Sequence, residues 1–192
     1  MFKGTSASAG IGIGKAVIVE EAELVITRNE VADAEAEIQR FKGALEKTIA
    51  ATQKMADDLA SRVGEKEAEI MQGHMMLLSD PMLTGEIENS VKNDKVNCEF
   101  AIENVCNMYA DMFASMGDEL MQQRATDMRD IKVRMQRTLM GLESVDVSLL
   151  PKGSILVAKD LTPSMTAGIN PENVSGIVTE LGGKTSHSAI LA

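Results

Sequence analysis

The sequence predicts an α/β domain into which an all-α domain resembling a four-helix bundle is inserted. Short β-branched runs occur near the N-terminus and again after residue 150, whereas residues 30–143 carry apolar residues at steps of three and four. An isolated N-terminal strand needs a sheet to join. We therefore predict one α/β domain built from residues 1–29 and 144–192, and a helical domain formed by residues 30–143.

Composition excludes several classes of protein. The chain has 192 residues, is 44% hydrophobic and has a formal net charge of -10, so it can bury a core but offers no basic footprint for nucleic acid. No apolar run approaches the roughly 20 residues of a membrane-spanning helix. We expect a cytoplasmic protein with no nucleic-acid partner and no membrane insertion.

The first predicted element is a short strand. Residues 16–19 are apolar and lie between Lys15 and Glu20, in a pattern typical of a strand. The glycines at 10, 12 and 14 do not make a phosphate-binding loop, which would need glycine at Ala9 and serine or threonine at Ala16. They indicate instead a backbone that turns or passes close to a neighbouring segment.

Apolar spacing next predicts four amphipathic helices connected by short loops, which is typical of an antiparallel bundle. They cover residues 30–63, residues 65–78, a stretch from an N-cap at Asn97 to Gly117, and residues 118–142. Asp80 and Pro81 mark a turn or another helix start. Residues 30–143 hold 13 Lys and Arg against 22 Asp and Glu, and this acidic surplus would steer a basic partner or simply keep the bundle soluble.

The two cysteines and two histidines do not form a disulfide or a zinc-ligand pattern. Cys98 and Cys106 lie in one predicted helix, about 12 Å apart along its axis, which is too far for a disulfide. Neither His74 nor His187 stands at zinc-ligand spacing from them. We expect a reduced compartment and no bound metal.

The C-terminal part returns to an α/β pattern. Residues 154–158 and 174–179 predict strands, separated by a predicted helix over 164–169. A turn on Gly182 and Gly183 then leads through Lys184, Thr185 and Ser186 to His187. A helix starting here would offer free N–H groups to a phosphate and keep the histidine neutral and nucleophilic. From the residues alone, a capping loop with an incidental histidine is equally consistent.

A resemblance favours the phosphate interpretation. The pattern Gly-Gly-x-Thr-Ser-His-x-Ala-Ile-x-Ala at 182–192 resembles the phosphohistidine signature of the phosphoenolpyruvate-utilising enzymes. Residues 4–16, 73–80, 124–131 and 160–164 resemble segments of one branch, the Enzyme I family of the bacterial sugar phosphotransferase system. The resemblance extends from Gly4 to Ala192. A swivelling domain of a dikinase and a non-catalytic docking module are the alternatives.

This resemblance implies an α/β phosphohistidine domain and a chemistry. In the family, a phosphoryl group passes from phosphoenolpyruvate to Nε2 of the signature histidine, matched by His187, and then to the small carrier protein HPr. Thr166 matches a threonine that hydrogen-bonds the acceptor, and the turn residues 182–186 match the phosphate-binding segment. The inserted helices match the HPr-docking domain, with contact residues expected at Glu65, Lys66, Glu67, His74, Met76, Leu77, Asp80, Leu83, Arg124 and Arg129.

At one position the sequence departs from the family pattern. Glu67, with Lys66 beside it, stands where family members often carry a lysine near the acceptor.

The resemblance also implies which regions a family member has beyond the residues matched here. In the family the α/β domain continues further and is followed by a phosphoenolpyruvate-binding barrel that holds Mg2+ and makes a homodimer of the full-length protein. We therefore expect a truncated α/β domain that needs no cofactor, lacks the barrel and exchanges phosphate only with HPr.

Overall fold

The chain is mostly helical and contains a small parallel sheet. The computed structural model describes residues 4–181, apart from the side chain of Glu67. Two compact units divide the chain, one containing residues 1–22 and 145–192 and the other residues 23–144. The chain thus leaves the first unit, forms the second, and returns to the first.

Five α-helices form the described unit 23–144. They are α1 (Ala34–Arg62), α2 (Glu65–Leu78), α3 (Pro81–Asp94), α4 (Cys98–Ser115) and α5 (Glu119–Met140). Four of them match the predicted helices to within a few residues, but the predicted count of four was wrong. The Asp80 carboxylate accepts a hydrogen bond from the Met82 amide, and Pro81 begins α3. Leu83, Ile87 and Val91 then bury one face of α3 at steps of four.

The helix ends explain where each helix begins. Asp33 and Asp118 accept hydrogen bonds from the amides of the first turns of α1 and α5. Asn97 precedes α4, as predicted, but its carboxamide does not cap that helix. It accepts a hydrogen bond from the Asn29 amide instead. This contact ties the segment before α1 to the start of α4.

A charged cluster joins α1 to α4 at the same end. Arg40 lies 2.7 Å from the Glu37 carboxylate and 2.8 Å from that of Glu99. The hydrogen bond from Arg40 holds the pKa of Glu37 below its ordinary value, against the opposing effect of partial burial. The Glu37 carboxylate also accepts a hydrogen bond from the Cys98 amide, so one side chain connects the two helices.

The core of the helical unit is mostly aliphatic and also contains buried polar contacts. The fully buried side chains include Phe41 of α1, Ile102 of α4 and Ile131 of α5. Between α1 and α5, Nη2 of the buried Arg134 donates to Thr52 Oγ1 at 2.6 Å. Each apolar side chain of this size contributes roughly 1.5–3 kcal/mol by burial, so the aliphatic contacts hold the helices together.

The other unit contains a parallel sheet ordered β1 (Lys15–Val19), β2 (Ser154–Ala158) and β3 (Val174–Thr179). Strand β1 pairs with β2 from Lys15 opposite Ser154 to Val19 opposite Ala158. The N-terminal strand and the strands after residue 150 therefore share one sheet. A short helix, α6 (Pro163–Gly168), connects β2 to β3, and Leu156 of the central strand is fully buried.

The glycines before β1 lie against neighbouring backbone. A Cβ atom on Gly12 would overlap the carbonyl oxygen of Ser175, and one on Gly14 would overlap that of Gly153. The Lys15 amide donates to the same Gly153 carbonyl at 3.0 Å. The interpretation of this stretch as a closely passing backbone is confirmed, since no side chain fits at either position.

Candidate functional site

The predicted acceptor segment begins where the described residues end. His187 and the predicted phosphate-binding residues Gly182, Gly183, Lys184, Thr185 and Ser186 lie outside the described part of the chain. Just before them, the Glu180 amide donates to the Ala158 carbonyl and the Leu181 amide donates to that of Lys159 at 2.8 Å. Leu181 is thus held beside the carboxyl end of β2, the edge of a parallel sheet where ligands bind in α/β folds.

Thr166 follows the same edge of the sheet. It lies in α6, which begins five residues after β2 ends, and its side chain is buried. Thr162 caps the helix by accepting from the Met165 amide, and Thr166 Oγ1 donates to the Thr162 carbonyl at 2.9 Å. Because the Thr166 hydroxyl already donates its proton, its oxygen can accept a further hydrogen bond from an N–H group.

The residues predicted to contact HPr differ in exposure. Glu65, Lys66, Met76 and Arg129 are exposed, Leu77, Asp80 and Arg124 are half-buried, and His74 and Leu83 are buried. The side chain of Glu67 lies outside the description. Leu83 belongs to the aliphatic core, and Asp80 caps α3. Met76 is 73% exposed while Leu78 is fully buried, so the apolar side chains of residues 75–78 do not all face one core.

His74 is enclosed between two carboxylates of α5. Its Nε2 lies 3.2 Å from Asp127 Oδ1, and its Nδ1 lies 3.5 Å from Asp130 Oδ2. The histidine side chain is 0% exposed and the two aspartates 8% and 4%. Residues three apart lie on the same side of a helix, so α5 presents both carboxylates to α2. Because His74 has no exposed surface, it can act on a partner only through its neighbours.

The two arginines pair with acids on different helices. Arg124 Nη1 lies 3.5 Å from Asp127 Oδ2 within α5, and Arg129 Nη2 lies 3.9 Å from Asp111 Oδ1 of α4. Arg124 is 34% exposed and Arg129 51%. Both arginines thus pair with acids of the helical unit, and Arg124 is connected through Asp127 to the buried His74.

An acidic groove of about 480 Å³ lies between α1 and α2. Small side chains, including Ala56 and Ala68, form part of its lining, and Asp57, Glu65 and Glu69 contribute carboxylates. All three acids are exposed. A groove with this charge is complementary to basic side chains of a partner protein.

The sequence analysis did not predict three residues of this region as site residues, namely Gly73, Asp127 and Asp130. The signal was present, because Asp127 lies on the stripe of α5 otherwise occupied by core residues such as Met128 and Ile131. A polar residue at a core position needs a buried partner. The sequence does not reveal that this partner is His74, 53 residues away.

The two cysteines are buried and protonated, and the described residues contain no cluster of metal-binding side chains. Burial raises the pKa of Cys98 and of Cys106 to about 12, which leaves both protonated near neutral pH. Within residues 4–181, no group of three or more His, Cys, Asp and Glu side chains is arranged to hold a metal ion. No helix of this part of the chain is long and apolar enough to cross a membrane.

Family models match most of the chain. Residues 3–124 match the N-terminal region of the PEP-utilising enzymes, and residues 150–192 match the mobile domain of the same enzymes. The first match includes β1 and the helices up to the start of α5, and the second includes β2, α6 and β3.

Curated proteins and solved structures give the same result. Phosphoenolpyruvate-protein phosphotransferase of Bacillus subtilis is 40% identical over 191 residues, and that of Listeria monocytogenes is 42% identical. The matches cover 100% of this chain but 34% and 33% of those proteins, so the chain spans about a third of their length. A solution structure of Enzyme I superimposes with a TM-score of 0.87 at 38% identity, covering all of this chain and 78% of the other. The N-terminal domain of a nitrogen Enzyme 1 superimposes with a TM-score of 0.68 at 25% identity, covering 96% and 76%.

Proposed function

The chain belongs to the PEP-utilising enzymes, and from this premise we propose that it carries a phosphoryl group on His187 and exchanges it with the carrier protein HPr. One observation carries the proposal. Residues 150–192 match the mobile domain of these enzymes, and that match contains the chain's second histidine in the segment Gly-Gly-Lys-Thr-Ser-His. The named activity of the curated relatives is the transfer of phosphate from phosphoenolpyruvate to a protein.

The chemistry proposed at His187 is an in-line transfer between two imidazoles. The bond from phosphorus to the carrier histidine breaks as a bond to His187 Nε2 forms, and the electron pair of the broken bond returns to the carrier imidazole. The three equatorial oxygens need charge stabilisation, which we assign to the N–H groups of residues 182–186 and to Lys184. Thr166 supports the acceptor in this scheme, since its Oγ1 can accept the Nδ1–H of a neutral imidazole.

Docking is assigned to the helical unit. The exposed Met76 supplies apolar contact area, and the acidic groove containing Glu65 supplies charge complementary to a basic partner. Residues 30–143 carry 22 acidic against 13 basic side chains, which would speed the encounter with a positively charged carrier. Lys66, Leu77, Asp80 and the two arginines complete the proposed contact set, while His74 and Leu83 support it from the core.

Use of phosphoenolpyruvate itself is assigned to a region that this chain does not match. The curated relatives are about three times as long, and the family resemblance places their phosphoenolpyruvate-binding barrel beyond the matched third. We expect the 192-residue chain to exchange phosphate with HPr and not to consume phosphoenolpyruvate.

Incubation with phosphorylated HPr tests the proposal. Peptide mass spectrometry under alkaline conditions, which preserve phosphohistidine, should find phosphate on the peptide containing His187. A His187→Ala variant should bind HPr but take up no phosphate. A folded chain that binds HPr without accepting phosphate would instead be a docking module. A chain that neither binds nor accepts would contradict the proposal entirely.

A further inference from the structure

Gly73 stands inside α2, immediately before the buried His74, and its missing side chain makes room for an arginine. A Cβ atom at this position would lie 2.6 Å from Nη1 of Arg124, well inside van der Waals contact. A glycine within a helix costs about 0.5–1 kcal/mol relative to alanine. The guanidinium of Arg124 therefore occupies the space that an alanine side chain would need.

Other helical glycines do not share this property. A Cβ atom on Gly43 of α1 or on Gly85 of α3 would have nothing within 4 Å. Alanine fits at both positions without displacing a neighbour, so these two glycines provide internal comparisons. Among these three helical positions, Gly73 alone is packed against a charged side chain.

The guanidinium is held from a second direction. Asp127 Oδ2 lies 3.5 Å from Arg124 Nη1, and Asp127 Oδ1 lies 3.2 Å from His74 Nε2. A fully buried histidine thus fixes the carboxylate that fixes the arginine. Arg124 remains 34% exposed, so part of its side chain reaches solvent. A guanidinium held in this way is suited to bind the oxygens of a carboxylate or phosphoryl group.

We propose that Gly73 is a positioning residue, which seats Arg124 so that its guanidinium binds an oxyanion of the docked carrier protein. This inference rests on the proposed function, because it takes the carrier as the partner. It adds that two features orient the Arg124 guanidinium. One is the pair of contacts from His74 to Asp127 and from Asp127 to Arg124, and the other is the missing side chain of Gly73 on α2.

A Gly73→Ala substitution should weaken HPr binding without lowering the stability of the fold. In a Gly73→Ala variant, the atom that must move is the far end of a flexible side chain. The fold should therefore tolerate alanine and gain helix propensity, while Arg124 loses its position. We expect the thermal midpoint to stay or rise and the affinity for HPr to fall about tenfold, the size of a charge-assisted contact.

A double-mutant cycle tests the inference. Calorimetric titration with HPr is performed on the unaltered chain, Gly73→Ala, Arg124→Ala and the double variant, with Gly43→Ala as the matched control. Gly73→Ala should weaken binding only while Arg124 is present, so the double variant should bind as Arg124→Ala does. The Gly43→Ala variant should bind normally, since Gly43 does not line the acidic groove and is not among the proposed contact residues.

Each outcome bears on the inference or on its premise. Unchanged affinity in Gly73→Ala, or equal losses with and without Arg124, would overturn the inference while leaving HPr binding intact. Absence of binding by the unaltered chain would instead overturn the proposed function. A second titration uses phosphorylated HPr, with His187→Ala added to every variant so that binding is measured without phosphate transfer. A larger loss with the phosphorylated form identifies a phosphoryl oxygen as the bound group, and equal losses identify a carboxylate of the carrier.

Discussion

Removal of the His74 side chain should destabilise the helical unit strongly. The imidazole is fully buried and lies 3.2 and 3.5 Å from two carboxylates that are themselves at least 92% buried. Leaving a buried donor or acceptor without its partner costs about 1–3 kcal/mol, and more where the group is charged. Because His74→Ala takes this partner from two buried carboxylates, we expect a loss of about 3 kcal/mol, although Asp127 keeps its contact with Arg124. For a chain of this size, that corresponds to a fall in the thermal midpoint of about 6–12 °C.

Urea and thermal unfolding followed by circular dichroism at 222 nm would measure this effect, because the helices of residues 23–144 dominate that signal. The matched control is Gln72→Ala, an exposed position on the same helix, which should change stability by less than about 0.5 kcal/mol. If His74→Ala unfolds within 1 kcal/mol of that control, the cluster does not stabilise the unit and the reasoning is wrong.

Three further predictions follow from individual contacts. Cys106, whose pKa burial raises to about 12, should resist alkylation at pH 8 until urea unfolds the chain; mass spectrometry that finds rapid labelling of the folded chain would contradict this. Arg40→Met should destabilise the chain by about 1 kcal/mol at pH 7, because solvent screens a guanidinium that is 40% exposed. Because Arg40 lowers the pKa of Glu37 from 4.5, that difference should shrink as pH falls below this value, and urea titrations showing a constant difference down to pH 3 would refute the pairing. Gly14→Ala places a methyl group on the Gly153 carbonyl oxygen and should destabilise the chain by about 1–3 kcal/mol, whereas Gly4→Ala should leave its stability unchanged. Hydrogen exchange would measure this as reduced amide protection in Gly14→Ala. Equal protection in the two variants would refute the prediction.

Much of the fold can be predicted from local pattern. The bounds of β2 and β3 match the β-branched runs, and those of α2 match the apolar spacing between Gly64 and Asp80. Helix α3 was missed as a separate element because its start at Pro81 also fits a turn. The distinction depends on Leu83, Ile87 and Val91 finding a core on the other helices, which is a tertiary contact.

The site is predictable in a different way. The proposed acceptor segment was predicted from a contiguous motif, because a phosphate-binding turn needs neighbouring residues of specific types. The cluster around His74 is assembled from residues 53 and 56 positions apart. Periodicity on α5 shows that Asp127 faces the interior, but the identity of its partner depends on how α2 packs against α5. The role of Gly73 depends on the same packing and on the rotamer of Arg124.

The most direct test of the account is whether phosphate moves in both directions between His187 and HPr. Phosphorus-31 NMR of the chain mixed with a small excess of phosphorylated HPr should show a second phosphohistidine signal. Adding unphosphorylated HPr should then return that phosphate to the carrier, and His187→Ala should show the carrier signal alone. A chain that binds HPr but never shows the second signal, or that shows it equally in His187→Ala, would contradict the account.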